Sequence, residues 1–360
     1  MMRIALSTGG GDAPGLNAVI RSAVLCAVDR GWDVVGIKRG FAGLLGEDDV
    51  VTLDADVVRG IAHLGGTILR TTNRGHPFRW PVPQPDGSVV AVDRSDELLE
   101  NARQMGIDAL ISIGGDGSLL IAQQLFEKGM RVVGVPKTID NDVNGTHTTF
   151  GFDTAVQTAL EAIDKLHTTA ESHDRVLVLE VMGRHAGFIA LHAGVAGTAD
   201  VILIPEIPYD IDRVCEKINA RDRSGRHFSI VVVAEGAFPC AGAPYQIERE
   251  GTGAESRLGG VGEAVARAIE QRTGKETRSL VLGHLQRGGA PTGYDRLLAT
   301  RFGAAAVAAV ADRYWGHMVA LQPPRIVVVP MAEALRAPKR VDLDGDVVQT
   351  ARATGISLGD

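Results

Sequence analysis

Apolar residues in this chain fall in short uninterrupted runs that alternate with stretches of helical spacing. Arg3 to Leu6 reads as a buried strand; beyond the glycine-rich turn at 9–15, Leu16, Val19, Ile20, Ala23, Val24 and Ala27 recur with helical period, and Gly31 supplies a stop. The cycle repeats with a strand over Asp33 to Ile37, a strand over Ala109 to Ile113, a helix over Leu119 to Lys128 ended by Gly129, and a strand over Val132 to Val135. A second series predicts a helix from Thr154 to His167 and strands at Val176 to Val181, Val201 to Ile204 and Ile230 to Ala234, with helices between them. Strands without polar alternation, separated by helices, predict parallel βαβ units covered on both faces. An α/β fold of two lobes with a cleft follows. Residues 1–150 are expected as a larger lobe, 151–320 as a smaller one, and 321–360 as a last strand and tail that pack back on the first. Trp80 to Asp96, rich in Pro, Gly and Asp, reads as a surface hairpin. Arg325 to Pro330 reads as one more buried strand; past it the chain becomes charged and ends in Thr354 to Asp360, a tail expected to fray.

Composition narrows the function. With 360 residues, 45% hydrophobic and 4% aromatic, the chain can bury a large core. A formal net charge of −7 leaves no basic stripe for nucleic acid or a membrane surface, so any phosphate must be met by local arginines. Cys26, Cys215 and Cys240 lie far apart and form no C-x-x-C pair, as expected of reduced cytoplasmic thiols. No stretch approaches the about 18 apolar residues of a membrane span, and Met1-Met2-Arg3 runs straight into a strand.

Every glycine-rich segment follows a strand, where ligands of parallel sheets collect. The first, Gly9 to Gly15, fails the dinucleotide pattern because Pro14 takes the third glycine's place, and no Gly-Lys-Ser/Thr makes it a Walker loop; its helix N-terminus can still hold a phosphate. The second is Gly114-Gly115-Asp116-Gly117-Ser118 and the third Pro136-Lys137-Thr138-Ile139-Asp140-Asn141-Asp142. Together they set three carboxylates among glycines and small hydroxyls. Phosphoryl transfer needs that combination: backbone N–H groups close to phosphate oxygens, one carboxylate for Mg²⁺, another to take the proton of an attacking hydroxyl.

These segments, with Gly-Gly-Asp-Ala-Pro-Gly-Leu-Asn at 10–17, Met182-Gly183-Arg184, Ala234-Glu235-Gly236 and Gly283-His284-Leu285-Gln286-Arg287-Gly288-Gly289, resemble the phosphofructokinases from Arg3 to about Arg301. The resemblance implies two Rossmann-like three-layer α/β/α lobes and transfer of a phosphoryl group to the 1-hydroxyl of fructose 6-phosphate. It implies Asp140 as the general base, with Thr138, Gly11 and Arg184 completing the catalytic set, and Asp116 as the Mg²⁺ ligand. Gly11, Arg74, Gly114, Asp116, Gly117, Ser118 and Lys137 would bind the donor. Arg70 neighbours Arg74, and either could bridge donor and sugar. Thr138, Asp140, Asp142, Arg175, Met182, Gly183, Arg184, Glu235, Arg278, His284 and Arg287 would hold the sugar phosphate, one set of arginines reaching across a subunit boundary of a homodimer or homotetramer.

The donor is ATP or pyrophosphate. Glycine at 117 leaves room for the α-phosphate that a carboxylate there would repel, which favours ATP; Lys137 resembles the pyrophosphate users but is compatible with either donor. Arg21 matches one effector-site arginine, while Leu25 and His167 stand where others would align, implying weak or absent regulation. NAD kinases and lipid kinases share only the Gly-Gly-Asp-Gly turn. A non-catalytic sugar-phosphate-binding paralogue would be expected to have lost Asp140 or Asp116.

Overall fold

The computed structural model describes residues 1–72, 75–242, 246–247 and 257–360. Along the chain the strands are β1 (Arg3–Thr8), β2 (Asp33–Ile37), β3 (Val50–Thr52), β4 (Trp80–Pro83), β5 (Val89–Val92), β6 (Ala109–Gly114), β7 (Val132–Pro136), β8 (Val176–Val181), β9 (Val201–Leu203), β10 (Ser229–Ala234), β11 (Gln246–Ile247), β12 (Arg257–Leu258), β13 (Thr277–Val281), β14 (His317–Gln322) and β15 (Arg325–Pro330). The helices are α1 (Leu16–Asp29), α2 (Ser95–Gln104), α3 (Asp116–Glu127), α4 (Phe152–His173), α5 (Phe188–Ala196), α6 (Ile211–Arg223), α7 (Val261–Thr273), α8 (Gly293–Ala311), α9 (Met331–Ala334) and α10 (Asp346–Ala353).

Two compact units emerge. The first comprises Met1–Ile139, Val143–Asp153 and Arg287–Pro338; the second comprises Asp140–Asp142, Thr154–Gln286 and Lys339–Asp360. This corrects the division into consecutive spans. Residues 287–320 pack in the first unit, and the last stretch, from Lys339 onward, packs in the second.

In the first unit seven strands run in the order β15-β14-β7-β6-β1-β2-β3, the middle five parallel and the two edge strands antiparallel. Successive residues of a strand point to opposite faces, and here both faces are covered. Ile4, Leu6, Ile111 and Ile113 join one core with Val19 of α1 and Phe302 of α8. Ala5 and Leu110 join the other with Leu98 of α2 and Leu119 and Leu125 of α3. Continuous apolar runs are the sequence signature of that sandwiching. β15, expected as a buried strand, is instead a half-buried antiparallel edge, and β4 with β5 forms the expected hairpin.

In the second unit β13-β8-β10-β9 are all parallel, with Val176, Val178, Val231 and Val233 packed among α6 and α7 residues such as Ile218 and Ile269. The tail does not fray. Ser357 pairs with Val201 on the outer edge of β9, accepting from Ile202 N at 2.9 Å and donating to Asp200 O at 3.0 Å, and Leu358 is buried. A lone edge strand has unpaired amides to satisfy, and the tail satisfies them.

Helices α1 and α8 approach closely at Gly303. A Cβ there would collide with the carbonyl oxygen of Val19 and stand 2.9 Å from Ser22 Cβ. Gly303→Ala gains about 1 kcal/mol of helix propensity but overpacks against backbone that cannot turn aside, at a cost of about 1–3 kcal/mol. The expected outcome is a lower urea midpoint; an equal or higher one would show that the helices separate freely.

Candidate active site

Parallel strands that end level release their following segments at one edge. Thr8 of β1 lies opposite Ile113 of β6, and Gly114 opposite Pro136 of β7, so turns 9–15, 114–118 and 137–139 emerge side by side in the first unit. They are laced together through backbone, Gly9 N donating to Ile113 O at 3.0 Å and Lys137 N to Gly114 O at 2.9 Å. Ser118 is what requires glycine here. A Cβ on Gly9 would lie 2.6 Å from Ser118 Oγ, and one on Gly114 2.7 Å from the same atom.

Two cations flank the first turn. The Lys137 ammonium, almost fully buried, donates to the Gly11 carbonyl oxygen, and Arg287 Nη1 donates to Asp12 O at 3.1 Å. A Cβ on Gly11 would stand 2.8 Å from that same Nη1. Arg287, expected with the sugar phosphate, thus lies beside the 9–15 turn within the first unit. α3 begins at Asp116, earlier than the spacing suggested, so Asp116, Gly117 and Ser118 form its first turn with Gly115 as N-cap. An exposed carboxylate at that end is favoured by the helix dipole. Nothing lies within 4 Å of where a Gly117 Cβ would be. Among the described residues no three His, Cys, Asp or Glu side chains gather as a metal site; a single carboxylate fits Mg²⁺ only where phosphate oxygens and water complete the octahedron. Thr138 is buried, its carbonyl accepting from Thr149 Oγ1 at 2.7 Å. Arg74 lies outside the described residues, whereas the Arg70 carbonyl is fastened to β1 by Thr8 Oγ1 at 2.8 Å.

The second unit repeats the geometry. Val181 of β8 lies opposite Ala234 of β10, and Glu180 opposite Val281 of β13. Gly236 N donates to Gly183 O at 3.1 Å, and any side chain at 236 would collide with the Arg184 carbonyl, so Met182-Gly183-Arg184 and Glu235-Gly236 come together as expected. Gln286, which the sequence motif contained without a role, is fully buried; its Oε1 accepts from Met182 N at 2.8 Å and its amide donates to Ala155 O at 3.3 Å. Asp140 and Asp142 flank Asn141, whose φ of 54° turns the chain sharply between them. His284 is exposed.

Arg175 and Arg278, the expected phosphate ligands, share one carboxylate. Arg175 Nη2 lies 2.9 Å and Arg278 Nη2 2.7 Å from Glu276 Oε1. The hydrogen bond from Arg175 holds the Glu276 carboxyl below its ordinary range. A separate cavity of about 750 Å³ in the second unit is lined by His167, Asp200, Lys217 and Arg221. Several of its polar groups are engaged: His167 Nε2 lies 2.8 Å from Gly197 O, Lys217 donates to Gly355 O at 2.6 Å, and Arg221 pairs with Asp200 at 2.7 Å.

Residues 3–310 match the family model described as phosphofructokinase. The chain belongs to the phosphofructokinase family. Among its family relatives, the ATP-dependent 6-phosphofructokinase of Chloroflexus aurantiacus is 55% identical over 99% of this chain and 98% of its own length. The pyrophosphate–fructose 6-phosphate 1-phosphotransferase of Streptomyces coelicolor is 51% identical over 95% of this chain and 96% of its own. The crystal structure of Pichia pastoris phosphofructokinase in the T-state superposes with a TM-score of 0.80 at 31% identity, over 98% of this chain and 36% of that one. As a phosphofructokinase-family fold, the two-lobed α/β architecture is the expected one.

Exposed ion pairs are weak, so Glu276→Gln should release Arg175 and leave Arg278 only its longer pairing with Glu270, 3.7 Å away, tightening binding of a sugar phosphate about two- to fivefold by calorimetry. Weaker binding would show instead that the carboxylate holds the arginines in place.

Proposed function

We propose that this chain is an ATP-dependent 6-phosphofructokinase, moving the γ-phosphoryl group of ATP to the 1-hydroxyl of fructose 6-phosphate and releasing ADP and fructose 1,6-bisphosphate. Identity of 55% along almost the whole chain to a relative of that name supports the activity. The observation that carries the choice of donor is the open space beside Gly117. A nucleotide α-phosphate needs that room, and pyrophosphate does not.

Turn 9–12 and the first turn of α3 are proposed to receive the donor, their amides and the Lys137 and Arg287 cations facing its oxygens. Lys137 and Arg287 now rest on main-chain carbonyls, which a phosphate oxygen outcompetes as a charge-assisted acceptor. Met182, Gly183, Arg184 and Glu235 are proposed to hold the sugar, with Arg175, Arg278 and His284 at its phosphate. Thr138 and Asp140, one residue apart, are where donor and acceptor sets meet in the sequence. As the bond from the sugar oxygen to phosphorus forms and that to the β-phosphate oxygen breaks, the hydroxyl proton passes to Asp140. In a loose transition state little deprotonation is needed until late, so a positioned carboxylate suffices. Mg²⁺, held through Asp116, would supply neutralisation of phosphate charge. We also propose a cytoplasmic homodimer or homotetramer with shared active sites and weak effector control; among the described residues no helix is long and apolar enough to cross a membrane.

Lys137 and the Streptomyces relative favour a second reading, pyrophosphate as donor. Purified protein with Mg²⁺ and fructose 6-phosphate, given ATP or pyrophosphate in parallel, decides between them; faster turnover with pyrophosphate would overturn the ATP assignment. Gly117→Asp should leave the thermal midpoint nearly unchanged, because the space is open, while cutting kcat/KM for ATP by about a hundredfold or more. Asp140→Asn should lower kcat by about 10²–10⁴ with little change in the KM for the sugar. A variant that lost only affinity would remove Asp140 from the proton step.

A further inference from the structure

We propose that Lys339 is a positioning residue for the catalytic segment Asp140–Asp142, which brings the C-terminal stretch of the chain into the active centre; this rests on the assignment of Asp140 as the base.

Lys339 begins the part of the C-terminus that packs in the second unit. It holds two consecutive residues of the catalytic segment from one position. Its main-chain N–H donates to Asp142 O at 2.8 Å, and its ammonium donates to Asn141 Oδ1 at 3.1 Å. The clamp closes on the left-handed residue, φ 54°, that turns Asp140 away from Asp142. A non-glycine residue keeps that conformation only where its surroundings over-determine it.

The same stretch grips the sugar side. The Lys339 ammonium lies 5.2 Å from the centre of the Phe188 ring, and Phe188 opens α5 directly after the Met182–Gly187 turn. Two residues on, Val341 N donates to Glu206 Oε1 at 2.9 Å, and both Glu206 oxygens lie 3.1 Å from Gly187 N. One short segment therefore ties the base and the sugar-binding turn to each other, and a displacement of about 1 Å in such a constellation costs about a hundredfold in rate.

Charge matters as well as shape. Asp142 is the carboxylate that acts on the Lys339 ammonium, and Glu206 holds the same stretch through Val341 N. Burial pushes the Lys339 ammonium down to about 8, with Asp142 opposing the shift. The cation that offsets the Asp142 carboxylate is then progressively lost as pH rises through about 8. Arginine in its place would stay charged.

The test measures kcat and KM of full-length wild type, K339M and K339R with Mg-ATP and fructose 6-phosphate between pH 6.5 and about 9.5. Expected are a kcat at least about tenfold lower in K339M with the KM for ATP within about twofold, and recovery in K339R. Wild-type kcat should fall with an apparent pKa of about 8 that is absent from K339R. A smaller loss in K339M, or the same alkaline limb in K339R, overturns the proposal. Should K339M fail to fold, the K339R profile decides alone. An inactive wild type would overturn the underlying function too, whereas an active wild type with an unaffected K339M would overturn only the role of Lys339.

Discussion

Parallel pairing releases every following segment at the same edge of a sheet, and each candidate site turn of this chain inherits its position from that constraint. In the first unit β1, β6 and β7 are neighbours in register, so three segments far apart in sequence begin within a few ångströms of one another. In the second unit β8, β10 and β13 do the same for the Met182, Glu235 and His284 segments. Strand edges that end level leave little room. Glycine at 9, 114 and 236 is the steric consequence, since a side chain there would meet Ser118 or the Arg184 carbonyl.

The cations expected to meet phosphate are held by acceptors of the protein itself. Lys137 and Arg287 are oriented by the carbonyls of Gly11 and Asp12, and Arg175 and Arg278 by Glu276. Such partners restrain long side chains without saturating them. Carbonyl oxygens carry only partial charge, and an exposed ion pair is worth about 1 kcal/mol or less, whereas a phosphate accepts several charge-assisted bonds at once. The cations are ordered yet exchangeable.

The C-terminal stretch links periphery to centre. Ser357 completes the edge of β9, Leu358 is buried, and Asp360 pairs with Arg352 on α10. Its other end reaches Asn141, Asp142 and Glu206. The tail is stabilised because an open strand edge and a sharp turn both leave polar backbone groups to satisfy.

The sequence by itself determined the α/β class, most strand positions and the motif residues, because buried parallel strands are continuous apolar runs and because phosphate turns demand glycines at fixed offsets. Local chemistry is written locally. It did not determine which residues touch across long separations. Gln286 carried no signal beyond its motif, Glu276 looked like any surface acid, and Lys339 sat in a charged tail with no period at all. The spans 287–320 and 339–360 were misplaced because nothing in a charged connection shows which sheet it will rejoin. Only the tertiary structure decided those, since they depend on which strand edges and buried amides remain to be satisfied once the sheets have formed.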